Sequence, residues 1–157
     1  MKEQLYQFAY QRYDAESDLS GDDLDLLVRA REATAHSYAP YSQFRVGSAA
    51  RLANGEIITG SNQENASFPA GLCAEGVVLA TASSTFPGIA IEALAISYSS
   101  DKVSSDHPIA PCGICRQSLQ EFRERTKRPI KLIMGGFKGE IIVVDDAAVL
   151  LPFSFNF

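Results

Sequence analysis

The chain has 157 residues, 46% of them apolar and 21% charged, and a net charge of −5. A chain of that length forms one ordinary domain that buries about 70% of its unfolded surface, and the composition excludes a disordered protein. The acidic balance weighs against nucleic acid as a partner, because phosphate backbones are gripped by Lys and Arg.

The N-terminal stretch M-K-E-Q-L-Y-Q-F-A-Y-Q-R-Y-D has no apolar core of the length a signal peptide needs. The longest apolar run, I-A-I-E-A-L-A-I-S at 89–97, is too short to span a membrane and is interrupted by Glu92. These features read as a cytoplasmic protein with no membrane association. Within the first residues, Tyr6, Phe8 and Tyr10 alternate with Gln7, Ala9 and Gln11, the period of a short half-buried strand at a sheet edge or a subunit interface. An acidic stretch at 14–23 separates it from the main body of the chain. Residues 1–21 therefore read as an N-terminal extension, and 22–157 as the functional domain.

A helix is expected from about Asp22 to Ser37. Ser20 and Asp23 resemble a capping box, Leu24, Leu27, Val28 and Ala35 share a face, and Pro40 ends the segment. Next comes a hairpin, F-R-V-G-S-A-A-R-L-A and E-I-I-T-G-S-N joined by Asn54-Gly55, a pair suited to a two-residue turn with positive φ. Residues 73–84 are apolar nearly all round, as in a helix buried on most sides. Residues 89–98 read as a strand. Residues 113–125 read as an amphipathic helix with Cys115, Ser118, Leu119 and Phe122 inward and Arg116 and Gln120 among its outer residues. Strands at 130–134 and 140–144 are joined by only G-G-F-K-G, so they must be antiparallel. The order α, β-hairpin, α, β, α, β, β predicts an α/β fold, a mixed sheet with helices packed on it.

All three cysteines lie in two short stretches, L-C-A-E-G (72–76) and P-C-G-I-C-R-Q (111–117). Three cysteines cannot form a fully paired disulfide framework, and in a reducing compartment they read as metal ligands, catalytic groups or small buried apolar residues. Cys73 falls at the start of one predicted helix, and Cys112 and Cys115 bracket the first turn of another. Helix N-termini favour thiolate over thiol. Three thiolates gathered by two helix ends would hold Zn²⁺ with one coordination position free, the mark of a catalytic zinc. A Cys-x-x-Cys alone is equally compatible with redox chemistry or structural zinc, and His107 is a possible fourth ligand that would close the site. Glu75 favours the catalytic reading, since a zinc-activated water needs a carboxylate to take its proton.

C-A-E at 73–75 followed by P-C-G-I-C-R-Q resembles the zinc signature of the cytidine deaminases, in particular the small homotetrameric three-cysteine type. The resemblance spans roughly residues 24–155 and includes Y-A-P-Y-S-Q-F-R-V-G (38–47), G-S-N-Q-E-N-A-S-F (60–68) and L-L-P-F-S-F (150–155). It implies a three-layer cytidine-deaminase-like fold, with a mixed five-stranded sheet and helices on both faces. It implies Cys73, Cys112 and Cys115 as ligands of Zn²⁺, and Glu75 as the group that moves protons between water and pyrimidine. By the same resemblance, Asn62 and Glu64 grip the ribose, Phe44 packs against the base, and Ala74 contacts substrate. Phe155 would reach a neighbouring subunit's site in a homotetramer, and Arg116 would offset the charge of the thiolates.

The chain departs from the pattern at three places: Gly76 stands where relatives often carry Arg, Phe68 where many carry Tyr, and Phe153 where Gly is usual. Two other readings compete with a cytidine and deoxycytidine deaminase. One is a deaminase of a related aminopyrimidine nucleoside. The other is a zinc-stabilised, non-catalytic binding protein on the same scaffold, against which the retained Glu75 speaks. RNA editing is disfavoured by the acidic charge and by Glu64.

Overall fold

The structure is a computed structural model and describes residues 1–156. Its elements in chain order are β1 (Gln11–Tyr13), α1 (Gly21–Ala33), β2 (Phe44–Leu52), β3 (Ile57–Ser61), α2 (Ala74–Thr85), β4 (Ile91–Ser100), α3 (Gly113–Thr126), β5 (Lys131–Gly135) and β6 (Ile141–Val144). They build one sheet in the order β1-β6-β5-β4-β2-β3. Only β4 and β5 run parallel, connected through α3; the other neighbours are antiparallel.

Alternate residues along the strands feed two cores, as the two-residue period of extended chain requires. Ala49, Ala93, Ala95, Ile133, Ile141 and Val143 pack with Leu26, Leu27 and Ala30 of α1 on one face. Ala50, Leu94, Ile96, Leu132, Met134 and Val144 pack with α2 and α3 on the other, through Val78, Leu79, Leu119 and Phe122. The result is the three-layer α/β arrangement expected. Its sheet has six strands rather than five, because the N-terminal segment contributes one.

That sixth strand is Gln11–Tyr13, paired with Ile141–Val143. The aromatic alternation at Tyr6, Phe8 and Tyr10 precedes it and is not a strand. β6 has only four residues, so no ladder remains for positions 6–10 to join. Instead Phe8 and Tyr10 cover an apolar recess over Ile142, Val144 and Leu150, and the Tyr6 hydroxyl donates to the Val149 carbonyl at 2.7 Å.

Three other expectations shift. Ser20 does cap α1, its Oγ accepting from the Asp23 amide at 3.3 Å. The buried face, however, is Leu26, Leu27, Ala30 and Ala33; Val28 and Ala35 are exposed. Buried Asp23 joins that face because Lys131 Nζ reaches its carboxylate at 3.0 Å. In the hairpin, Leu52 N bonds Glu56 O, leaving a three-residue loop in which Gly55 takes φ +87°. Asn54 instead uses its side chain to accept from the Glu56 amide at 3.1 Å. In α3, Gln120 is buried, donating to Glu124 Oε1 at 3.2 Å along its own helix.

Gly47 sets how closely α1 sits on β2. A Cβ there would lie 2.0 Å from the Ala30 carbonyl oxygen and 2.7 Å from Thr34 N. Both obstacles are backbone, so relief requires moving the helix. Gly47→Ala is expected to cost about 3 kcal/mol or more in denaturant unfolding. A loss under about 1 kcal/mol would mean that α1 can lift away without disturbing its packing.

Candidate active site

The N-termini of α2 and α3 meet at one end of the sheet. Cys73 is the residue before the first turn of α2 and Cys112 holds the same place on α3. Neither side chain caps its own helix, so both sulfurs are available to each other. The Cys73 and Cys112 Sγ atoms are 3.8 Å apart, Cys112 and Cys115 are 3.5 Å apart, and all three lie within 4.8 Å of one another. Sulfurs held tetrahedrally by Zn²⁺ at about 2.3 Å stand about 3.8 Å from each other, so the donor set fits that ion.

Electrostatics make the same point. Burial pushes the Cys115 thiol far above its ordinary value, with the charges of Glu75 and Cys73 adding to the effect. Burial also raises Cys73, against a hydrogen bond from Cys115. At Cys112 burial opposes ionisation, but it is outweighed by the Cys115 and Ile114 amides and by the neighbouring thiols. Of the three thiols, Cys112 is thus the one that ionises most readily without a metal. A divalent cation is what permits three, with release of protons on binding.

Among the described residues, this trio is the one group of Cys, His, Asp and Glu placed to share a metal ion. His107 is not part of it; its ring faces the Tyr98 hydroxyl, 3.0 Å from Nδ1. No further side chain of those four residue types, among the described residues, joins the three sulfurs.

Glu75 is in the first turn of α2 and only 5% exposed. Burial pushes its carboxyl up, opposed by its own backbone amide and by the Cys115 thiol. A carboxylate that is desolvated beside the three-cysteine cluster and opens to a cleft is placed to take and return protons. The cleft has a volume of about 870 Å³, and Phe44, Asn62, Glu64, Cys73, Ala74 and Glu75 all line it. Residues from separate strands, loops and helices therefore share one space.

Within it, Asn62 and Glu64 are less alike than their spacing suggests. Asn62 Oδ1 accepts from the Ser37 hydroxyl and from Val46 N at 2.8 Å, while Nδ2 donates to Phe44 O at 3.0 Å. Both acceptor positions serve the scaffold, so toward a ligand Asn62 offers a donor only. Glu64 Oε2 accepts from Tyr41 N at 2.8 Å and Ser42 N at 3.2 Å, organising the loop that leads to Phe44. The Ser42 hydroxyl, these amides and Lys102 hold its carboxyl below the ordinary range. Glu64 thus stays ionised near neutral pH.

Residues 20–129 match the family model for the cytidine and deoxycytidylate deaminase zinc-binding region. The chain belongs to the cytidine deaminase family. It is 34% identical over 131 residues to a cytidine deaminase of Halalkalibacterium halodurans, covering 83% of this chain and 92% of that one. A cytidine deaminase of Mycobacterium tuberculosis is 42% identical over 96 residues, 61% of this chain and 68% of that one. The crystal structure of cytidine deaminase from Burkholderia pseudomallei superposes with a TM-score of 0.73 at 33% identity, covering 87% of this chain and all of that one.

The cofactor of this family member is zinc, matching a three-cysteine cluster of suitable spacing. Its departures from the deaminase pattern have structural counterparts. A side chain at Gly76 would meet nothing within 4 Å, so the position is open toward the groove between α2 and α3. Arg116 donates to the carbonyls of Pro111 at 2.9 Å and Leu150 at 3.0 Å. These bonds tie the turn before Cys112 to the C-terminal segment, and they go to backbone oxygens rather than to sulfur. Phe153 adopts φ +57°, a conformation that costs an L-residue about 1–2 kcal/mol. That cost explains why glycine suits the position. Phe155 does not line its own chain's cleft; Gln117 holds its backbone at both N and O.

The sequence reading missed Tyr41, Leu72, Ile109 and Ile114, which complete the apolar lining. None carries a chemical signature. Only their arrival from separate loops and from the first turn of α3 makes them a wall.

Proposed function

We propose that this chain is a zinc-dependent cytidine deaminase, converting cytidine and 2′-deoxycytidine to uridine and 2′-deoxyuridine in pyrimidine salvage. The observation that carries the reading is the buried carboxylate of Glu75 set beside a three-sulfur metal cluster at the floor of a nucleoside-sized cleft. Cys73, Cys112 and Cys115 would hold Zn²⁺, which when bound supplies a water activated at neutral pH. Glu75 takes one proton from that water and delivers it to ring N3 as oxygen bonds to C4. It then carries the second proton to the exocyclic amine, which leaves as ammonia, and the C4 carbonyl of uridine forms.

The remaining residues orient the nucleoside. Phe44 packs against the pyrimidine, and backbone beside Ala74 borders the reacting end. The free oxygen of Glu64 accepts from ribose hydroxyls while the remaining Asn62 N–H donates. An ionised Glu64 repels a phosphate, which favours nucleosides over nucleotides and polynucleotides. Arg116 offsets the thiolate charge through space from the residue after Cys115. The exposed Phe68, Leu72, Ile114, Phe153 and Phe155 are apolar side chains that a second copy would cover, which supports a homotetramer with Phe155 at a neighbour's cleft. Among the described residues no helix is long and apolar enough to cross a membrane, and the reading assigns the enzyme to the cytoplasm.

Loss of cytidine absorbance with release of ammonia by the purified, zinc-loaded protein tests the activity. No turnover with one zinc per chain would point to a shifted substrate or to a binding scaffold. Glu64→Gln is expected to raise KM for cytidine about 10-fold or more with a much smaller change in kcat, since a charged hydrogen bond to substrate is weakened. An unchanged KM would remove Glu64 from the ribose site.

A further inference from the structure

Tyr98 lies near the C-terminal end of β4 and is completely buried, yet its hydroxyl is oriented by a surface loop. In the β2–β4 ladder Val46 stands opposite Tyr98, which makes Phe44 its diagonal neighbour. The two rings stack, 4.9 Å between centroids and 15° between planes. One face of Phe44 is thereby covered by Tyr98, while the same side chain borders the cleft.

The Tyr98 hydroxyl is fixed from two sides. It donates to the Ser104 carbonyl at 2.9 Å, and His107 Nδ1 is 3.0 Å away. With the hydroxyl proton given to Ser104, the imidazole is the donor to the phenol oxygen. Asp106 Oδ1, 3.1 Å from the same nitrogen, favours the proton at that position.

The loop bearing these groups is itself seated. Ser105 Oγ donates to the Tyr98 carbonyl and accepts from the Phe137 amide at 2.9 Å, and the Lys138 amide donates to Ser105 O at 3.1 Å. A Cβ at Gly136 would lie 2.5 Å from Ser105 O, and one at Gly139, where φ is +83°, 2.0 Å from Asp106 O. The glycines of the β5–β6 turn thus let it press the loop against Tyr98.

We propose that Tyr98 is a positioning residue for substrate binding: anchored by Ser104 and His107, it fixes the plane of Phe44, the ring that meets the pyrimidine. The inference rests on the reading of Phe44 as a substrate contact. A freely rotating Phe44 would lose side-chain entropy on binding, and a ring already held in place does not. The benefit is the same for ground and transition states, so it appears in KM and not in kcat.

The test is steady-state kinetics on the full-length, zinc-loaded protein with cytidine. Phe44→Leu checks the underlying contact and is expected to raise KM about 10-fold. Tyr98→Phe removes the hydroxyl with both its anchoring contacts and His107→Ala removes one of them; each should raise KM about threefold to fivefold, with kcat within about twofold. His107 is exposed, so its replacement leaves the core intact even if Tyr98→Phe folds poorly. The double variant Tyr98→Phe/His107→Ala should be no worse than the more impaired single variant, because both break the same contact. His107→Asn, which keeps a donor near the Nδ1 position, should restore KM. If Phe44→Leu raises KM while His107→Ala and Tyr98→Phe leave it unchanged, the anchor is only structural and the inference falls. If Phe44→Leu has no effect, the substrate contact falls, and this inference falls with it.

Discussion

Glu75→Gln lowers kcat for cytidine by about 10³-fold or more and leaves one zinc per chain. The amide has nearly the volume of the carboxyl, so the first turn of α2 and the buried pocket around the side chain are kept. The three sulfurs are untouched, so the ion remains. What disappears is a group that can accept a proton and pass it on, twice during one turnover. General acid–base catalysis by a positioned side chain is worth about 10²–10⁴-fold, and in the proposed reaction a single carboxylate serves both transfers. Burial adds to the effect, since the 5%-exposed side chain leaves little room for bulk water to substitute for it. The checks are turnover by absorbance and zinc by elemental analysis on the same preparation. Near-native turnover in Glu75→Gln would remove Glu75 as the proton carrier.

Cys115→Ser is expected to abolish both stoichiometric zinc and activity, and to lower the melting temperature to that of the chelator-treated parent protein. Cys115 is the buried cysteine of the three, standing in the first turn of α3 while Cys73 and Cys112 sit at the exposed helix ends. A serine hydroxyl ionises far less readily than a thiol, and two cysteines alone hold zinc poorly. Zinc bound only by the folded chain at a free concentration of about 1,000 times Kd adds about 4 kcal/mol. For a domain of this size that corresponds to a shift of about 8–16 °C. Thermal unfolding of the parent protein with and without chelator, and of Cys115→Ser, measures it. Full zinc occupancy in the variant would mean that the three sulfurs are not the binding set.

Most elements are well marked along the chain, and the places where pattern and structure part have physical causes. Sequence periodicity gives α1 a face of Leu24, Leu27, Val28 and Ala35, whereas the sheet receives Leu26, Leu27, Ala30 and Ala33. Alanine carries too little hydrophobic signal to reveal that the helix sits close, and the cause, Gly47, lies in a different element. Asn54-Gly55 signals a turn but not its length. A register shift at Arg51/Leu52 against β4 alters the hairpin end, and that partner strand lies far along the chain. Tyr6, Phe8 and Tyr10 show a strand period for another reason. They belong to a segment that covers an apolar recess, and of that segment the short β6 pairs only with the residues after them.

The chemistry of this protein is legible in its chain. Three cysteines and a glutamate in two short stretches point to a metal and a proton carrier, because few other residue types can perform those tasks. Strand and helix periods likewise announce a layered α/β fold, since each residue's own backbone geometry sets its period. How the parts cooperate is settled by packing. Packing brings the two helix ends together, occupies both acceptor positions of Asn62 with scaffold hydrogen bonds, and turns His107 from a possible zinc ligand into a partner of Tyr98. Such facts depend on distances between residues far apart in the chain. No local pattern encodes them, because they arise when whole elements meet across the sheet.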